Sequence, residues 1–192
     1  MSDQIEIELS KDVIKTHPGD TVVETFVIAN RSEVNDQFIV AVEGLDSSWY
    51  ELETSSAKIY PMDRLKCRLT LNPPKDSTAL AETHSFSVKV AAKNDPRIET
   101  SVPMTLVLRP FYNFELKLDP PVFGGPTGNY DLLIHNAGND DVPFRMVGID
   151  SNDSCRFTFT PNAPNRTCRR DAEGKSCGPA GRSPKLWRNK AV

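Results

Sequence analysis

Short stretches in which apolar and polar residues alternate recur along this chain, and that period of two restricts the fold more than any other feature. Leu65, Cys67, Leu69 and Leu71 fall on one side of an extended segment while Lys66, Arg68 and Thr70 fall on the other, as in a strand with one buried face. The same period runs through Ile5-Glu-Ile7-Glu-Leu9, Phe38-Ile-Val40-Ala-Val42, Phe86-Ser-Val88-Lys-Val90 and Phe114-Glu-Leu116-Lys-Leu118. No window of similar length carries a helical stripe, so little helix is expected. Residues that favour turns separate the runs: His17-Pro18-Gly19-Asp20, Asn72-Pro73-Pro74, Asn94-Asp95-Pro96, Gly124-Gly125-Pro126, and Asn136-Ala137-Gly138-Asn139-Asp140-Asp141. Strands punctuated in this way pair antiparallel into a sandwich or barrel.

Seven strands are expected in the first part, near 5–9, 21–29, 37–43, 48–53, 65–71, 84–92 and 100–108. That number in about 100 residues reads as a complete immunoglobulin-like β-sandwich over residues 1–109. Its class rests on strand number and patterning, because Cys67 is the only cysteine before Cys155 and the Cys…Trp…Cys signature is missing. Glu24 shares a face with Val22, Phe26 and Ile28, which requires either that both faces of that strand are covered or that Glu24 lies near an edge.

Shifting the chain on itself by about 106 positions aligns Phe26-Val-Ile-Ala-Asn30 with Leu132-Leu-Ile-His-Asn136, and Val40-Ala-Val-Glu-Gly44 with Met146-Val-Gly148-Ile-Asp150. The match continues from Trp49-Tyr50-Glu51-Leu52 into Cys155-Arg156-Phe157-Thr158. An internal repeat of domain length argues for tandem sandwiches joined at Arg109-Pro110. Pro18-Gly19-Asp20-Thr21, the strand that ends at Asn30, Asp46-Ser-Ser-Trp49, and the Tyr60-Pro61 turn before the alternating strand to Leu71 resemble the bacterial Ig-like modules of the NEW3 type associated with alpha-galactosidases. The resemblance covers about residues 13–92 and, less fully, 114–160. It implies a non-catalytic module that stands beside other domains as a spacer or interaction unit, and it lends no catalytic residues.

The second copy departs from the first after Pro161. Between 161 and 185 there is no Val, Ile, Leu, Phe, Trp or Tyr, and such a segment cannot offset an ordering entropy of about 1–2 kcal/mol per residue. Residues 110–161 are therefore expected to form a partial second sandwich of about four strands, near 112–118, 129–135, 142–149 and 155–160, and 162–192 a disordered basic tail. The break is as abrupt as a frameshift or premature end would make it, and a natural divergent tail gives the same pattern. Half a sandwich leaves an apolar face bare; at about 25 cal/mol per Å2, a few hundred Å2 of such face forfeits several kcal/mol. That face, borne by Phe114, Leu116, Leu118, Leu132, Ile134, Phe144, Met146, Phe157 and Phe159, needs cover from the first domain, a second copy of the chain or a partner strand; Phe144, Met146, Phe157 and Phe159 form the candidate interaction surface together with the aromatic pair Trp49 and Tyr50. Its expected partner is another protein or a second copy of the chain.

Charge separates the same two regions. Residues 1–164 carry 15 Lys and Arg against 24 Asp and Glu, whereas 165–192 carry 8 against 2. An acidic body repels nucleic acid and anionic membrane, while the basic tail could meet phosphates by charge alone. Cys67, Cys155, Cys168 and Cys177 include no C-x-x-C pair, so neither a zinc finger nor a thioredoxin-type motif is supported. His17, His84 and His135 stand far apart in sequence. The 136–141 and 150–153 loops lack the spacing of a calcium loop and read as turns. No metal and no cofactor are expected. Asn30, Asn152 and Asn165 open N-x-[S/T] triplets, but modification would need a secretory route. The Met1-Ser-Asp-Gln start shows no signal-peptide pattern and no apolar run approaches the ~20 residues of a membrane span, so a cytoplasmic protein with reduced thiols is expected.

The expected function is therefore that of a non-enzymatic structural spacer or protein–protein interaction unit. Two alternatives belong to other classes: a carbohydrate-binding module, which needs an aromatic platform of Trp49, Tyr50 or Tyr60, and nucleic-acid contact through the tail.

Overall fold

The computed structural model describes residues 4–119, 128–144, 147–149, 152, 157–160, 166–168 and 188–191. It is all-β: fifteen strands and one 3-10 turn, Ser47–Trp49, with no α-helix among the described residues. The chain divides into two compact units. The first comprises residues 1–75 and 81–109, the second 76–80 and 110–192.

The first unit is a sandwich of two sheets. In one, β1 (Ile5–Leu9), β3 (Val22–Asn30), β7 (Arg64–Leu71) and β5 (Tyr50–Leu52) lie in the order β1-β3-β7-β5. The other runs β2-β9-β8-β4-β6, from β2 (Val13–Thr16), β4 (Asp36–Glu43), β6 (Ser56–Ile59), β8 (Thr83–Ala92) and β9 (Glu99–Leu108). All seven expected strands are present. The two that alternation did not reveal, β2 and β6, are four residues long and form the two edges of the five-stranded sheet. So short a strand holds only two turns of the period, too few to stand out.

Alternation becomes burial in the expected way. Cys67, Leu69 and Leu71 of β7, Phe26 and Ile28 of β3, Phe86, Val88 and Val90 of β8, and Leu106 and Leu108 of β9 form the core between the sheets. The chain changes sheet early: β1 pairs antiparallel with β3, and after Ser10–Asp12 β2 pairs parallel with β9. Glu24 sits where this crossing occurs. It is buried although β3 is an interior strand, and its carboxylate accepts a 3.1 Å hydrogen bond from Ser10 Oγ and lies 3.6 Å from Lys11 Nζ. A buried carboxylate needs such partners, and the crossing segment supplies both.

In the second unit β10 (Phe114–Asp119), β11 (Gly128–Asn136), β15 (Arg188–Ala191) and β13 (Phe157–Thr160) form a sheet in the order β10-β11-β15-β13. A separate ladder joins β12 (Val142–Phe144) to β14 (Arg166–Cys168). Within 162–192, the segment expected to be a disordered tail, the described residues 166–168 and 188–191 are strands. A ladder is built from backbone N–H and C=O groups, so an extended segment can pair with a strand edge whatever its side chains. The other residues of 162–192 lie outside those described, as do residues 145 and 146 of the strand expected over 142–149, whose observed part is β12.

The two units share one hairpin register. Ile5 stands opposite Asn30 and Leu9 opposite Phe26 in β1 and β3; Phe114 stands opposite Asn136 and Leu118 opposite Leu132 in β10 and β11.

Candidate functional site

Of the residues expected to form an interaction surface, the aromatic pair is the best defined. Asp46 starts the 3-10 turn by accepting the Ser48 N–H at 2.9 Å and the Ser48 hydroxyl at 2.7 Å. These two bonds hold its carboxyl below the usual carboxylate range. The turn drops Trp49 into the sandwich, where it is 8% exposed and meets His84 edge-on, with ring centroids 5.1 Å apart and planes at 74°. Tyr50 is half-buried, and its hydroxyl donates to Val42 O at 3.4 Å. Trp49 therefore plugs the sandwich and offers no platform. Tyr60 is exposed, but it stands under the Lys58 ammonium, 5.6 Å from the ring centroid. The aromatic platform needed for sugar stacking is not assembled from these three residues.

In the second unit Phe144 ends β12 opposite Arg166, and Phe157 and Phe159 stand in β13 opposite Ala191 and Asn189. Met146 lies outside the described residues. Another part of the apolar face expected to be bare lies on β10. Phe114, Leu116 and Leu118 share one face of β10 and are 38%, 68% and 40% exposed. In the first unit the residue in the register position of Phe114 is Ile5, which is 4% exposed. β1 packs against β9 of the facing sheet, whereas the second ladder of the second unit contains, among the described residues, only β12 and β14. The signal was available in the sequence as Phe114-Glu-Leu116-Lys-Leu118. What could not be read there was which apolar face goes uncovered.

The remaining polar groups serve the fold. Among the described residues no three His, Cys, Asp or Glu side chains are grouped as a metal site would require, and no helix is long and apolar enough to cross a membrane. His17 faces Asp20 across a turn at 3.5 Å. In the 136–141 turn the amide oxygens answer backbone donors: Asn136 Oδ1 accepts from Gly138 N at 3.0 Å and Asn139 Oδ1 from Phe111 N at 2.8 Å. Asn139 Nδ2 donates to Ala79 O at 2.8 Å, which ties residues 76–80 into the second unit. The Asn30 triplet is closed to modification, since Asn30 is fully buried. Burial and the nearby Glu53 push the Cys67 thiol up to about 11, so it is a core group and not a nucleophile.

No family model and no curated protein matches the chain. Among solved structures it is similar to the ASH/PapD-like domain 7 of human CEP192, at 16% identity over 56% of this chain and 85% of that one, with a TM-score of 0.38. WR4, an MSP family member of C. elegans, matches at 12% identity over 56% of this chain and 99% of that one, again at 0.38. A protein of unknown function from Porphyromonas gingivalis matches at 16% identity over 98% of this chain and 83% of that one, with a TM-score of 0.44.

Proposed function

We propose that the chain is a non-catalytic, cytoplasmic interaction module in which the second unit is an incomplete copy of the first, and that it binds a protein partner, a second copy of itself included, through the open face of β10. The observation that carries this reading is the contrast between Phe114, Leu116 and Leu118, exposed at 38–68%, and the residues in the same register positions of the first unit, Ile5 buried at 4% and Ile7 and Leu9 half-buried. Contiguous apolar residues left in water mark interaction surfaces. The resemblance to NEW3-type modules supports the same reading, since such modules act beside other domains. The first unit, closed and filled, serves as the rigid spacer that presents the second.

The test is site-specific photocrosslinking in extracts of the native host. A photoreactive phenylalanine at Leu116 should yield one discrete adduct, identified by mass spectrometry as a partner or a dimer, that disappears when Leu118→Lys is added. The same probe at Val23, which is 51% exposed on the closed unit, should give none. An equal pattern from both positions, or no adduct from Leu116, would overturn the proposal.

A further inference from the structure

β15 occupies, position for position, the place that β7 holds in the first unit. In the first unit Arg68, Leu69, Thr70 and Leu71 stand opposite Thr25, Glu24, Val23 and Val22 of β3. In the second, Arg188, Asn189, Lys190 and Ala191 stand opposite Asp131, Tyr130, Asn129 and Gly128 of β11. The agreement extends to the other neighbour: Leu69 and Leu71 face Leu52 and Tyr50 of β5, and Asn189 and Ala191 face Phe159 and Phe157 of β13. Counted back from Asn30 and from Asn136, the two registers coincide.

The residues in that place are not equivalent. Leu69 and Leu71 are fully buried and fill the centre of the first sandwich. Asn189 and Ala191 stand at the corresponding register positions, and an amide and a single methyl carry far less apolar surface than two leucines, so the ladder of β15 lacks the transfer gain available to β7. Asp119 and Asp131 stand directly opposite each other, a like-charge pair that is unfavourable across a ladder, and Arg188 lies on the other side of Asp131.

We propose that the slot between β11 and β13 is a strand-acceptor site, and that its ligand is an extended segment of another polypeptide with branched aliphatic residues at the positions of Asn189 and Ala191 and a basic residue at that of Arg188. Such a segment pairs antiparallel with β11 and displaces β15. It replaces backbone bonds with identical backbone bonds and adds the burial that β15 lacks, so the exchange runs downhill. The proposal rests on the reading of the second unit as an interaction module and specifies what that unit takes up.

The probe is a fluorescein-labelled peptide with the sequence of Arg64–Leu71, Cys67→Ser, added to the full chain and followed by fluorescence anisotropy. Saturable binding is expected. The double variant Asn189→Leu, Ala191→Leu, whose own strand then fills the slot, should bind at least tenfold more weakly. Lys190→Pro, which removes an N–H from the competing strand, should bind about tenfold more tightly. A peptide with its aliphatic and basic positions exchanged should not compete. No saturable binding, or an affinity that neither variant changes, would overturn the acceptor site. If the Leu116 crosslink survives that failure, the interaction module stands without it; if the peptide binds and the crosslink is absent, the β10 face is what falls.

Discussion

Asn30 and Asn136 make the same two hydrogen bonds at the ends of their strands: each donates Nδ2–H to the carbonyl four residues on, Val34 O at 2.9 Å and Asp140 O at 2.8 Å, and each accepts at Oδ1 from the N–H two residues on, Ser32 and Gly138, both at 3.0 Å. An Asn in this role ends a strand by supplying polar partners that the ladder no longer provides. The second amide hydrogen of Asn30 goes to Ile59 O at 3.0 Å, and its oxygen also accepts from the Ser32 hydroxyl at 2.7 Å. With two donors and two lone pairs engaged, it is fully satisfied at zero exposure.

Asn30→Ala should therefore cost the first unit about 3 kcal/mol, because several buried groups lose their partners together. Asn136→Ala should cost the second unit about 2 kcal/mol by the same argument. Hydrogen exchange read by mass spectrometry locates each effect: faster exchange in β3 and β7 for the first variant, and in 132–140 for the second. A uniform loss across both units in either variant would contradict this.

Glu24 and Lys11 should behave unequally. The Lys11 side chain is 68% exposed while that of Glu24 is 10% exposed, so the pair itself is screened, whereas the bond from Ser10 is less so. Lys11→Ala and Glu24→Gln are expected to change stability in urea by less than about 0.5 kcal/mol. Glu24→Ala should cost about 1–2 kcal/mol.

Met62 has a φ of 60°, the only positive value at a non-glycine among the described residues. It follows Pro61 in the turn closed by the Asp63 N–H donating to Tyr60 O at 3.1 Å, a position that favours glycine. The side chain is 66% exposed, so little packing is lost on removing it. Met62→Gly is expected to stabilise the first unit by about 0.5–1 kcal/mol, seen as a higher thermal midpoint.

Asp46 and Asp76 supply a pH dependence. Both carboxyls are held below their ordinary value by hydrogen bonds, from Ser48 and from Thr78 respectively. A lowered folded-state pKa contributes stability that is present above the unfolded value near 3.8 and is lost as pH falls through the folded value. Stability should therefore decline below about pH 4, and Asp46→Asn, which keeps an acceptor that does not titrate there, should flatten that decline. Urea midpoints measured between pH 2.5 and 6 check it.

Alternation made every long strand of the first unit legible, because a strand with one wet face must carry period two. It made β10 and β11 legible for the same reason. It missed β2 and β6, which at four residues each are too short to display the period, and it did not mark β14 and β15, where ladder bonds between backbones act with no pattern of side chains to announce them. Trp49 and Tyr50 were visible as residues but not as positions: the Asp46 turn, set by two local bonds, decides that the indole goes inward.

What the amino-acid sequence determined by itself was which faces are apolar, since that depends only on neighbours two apart along one strand. What only the tertiary structure decided was which of those faces meets another. Ile5 is buried and Ile7 and Leu9 are half-buried, whereas Phe114, Leu116 and Leu118 are exposed, although both triplets are apolar in the same register. Covering a face requires a second sheet brought in from distant sequence, and no local pattern records whether that sheet arrives.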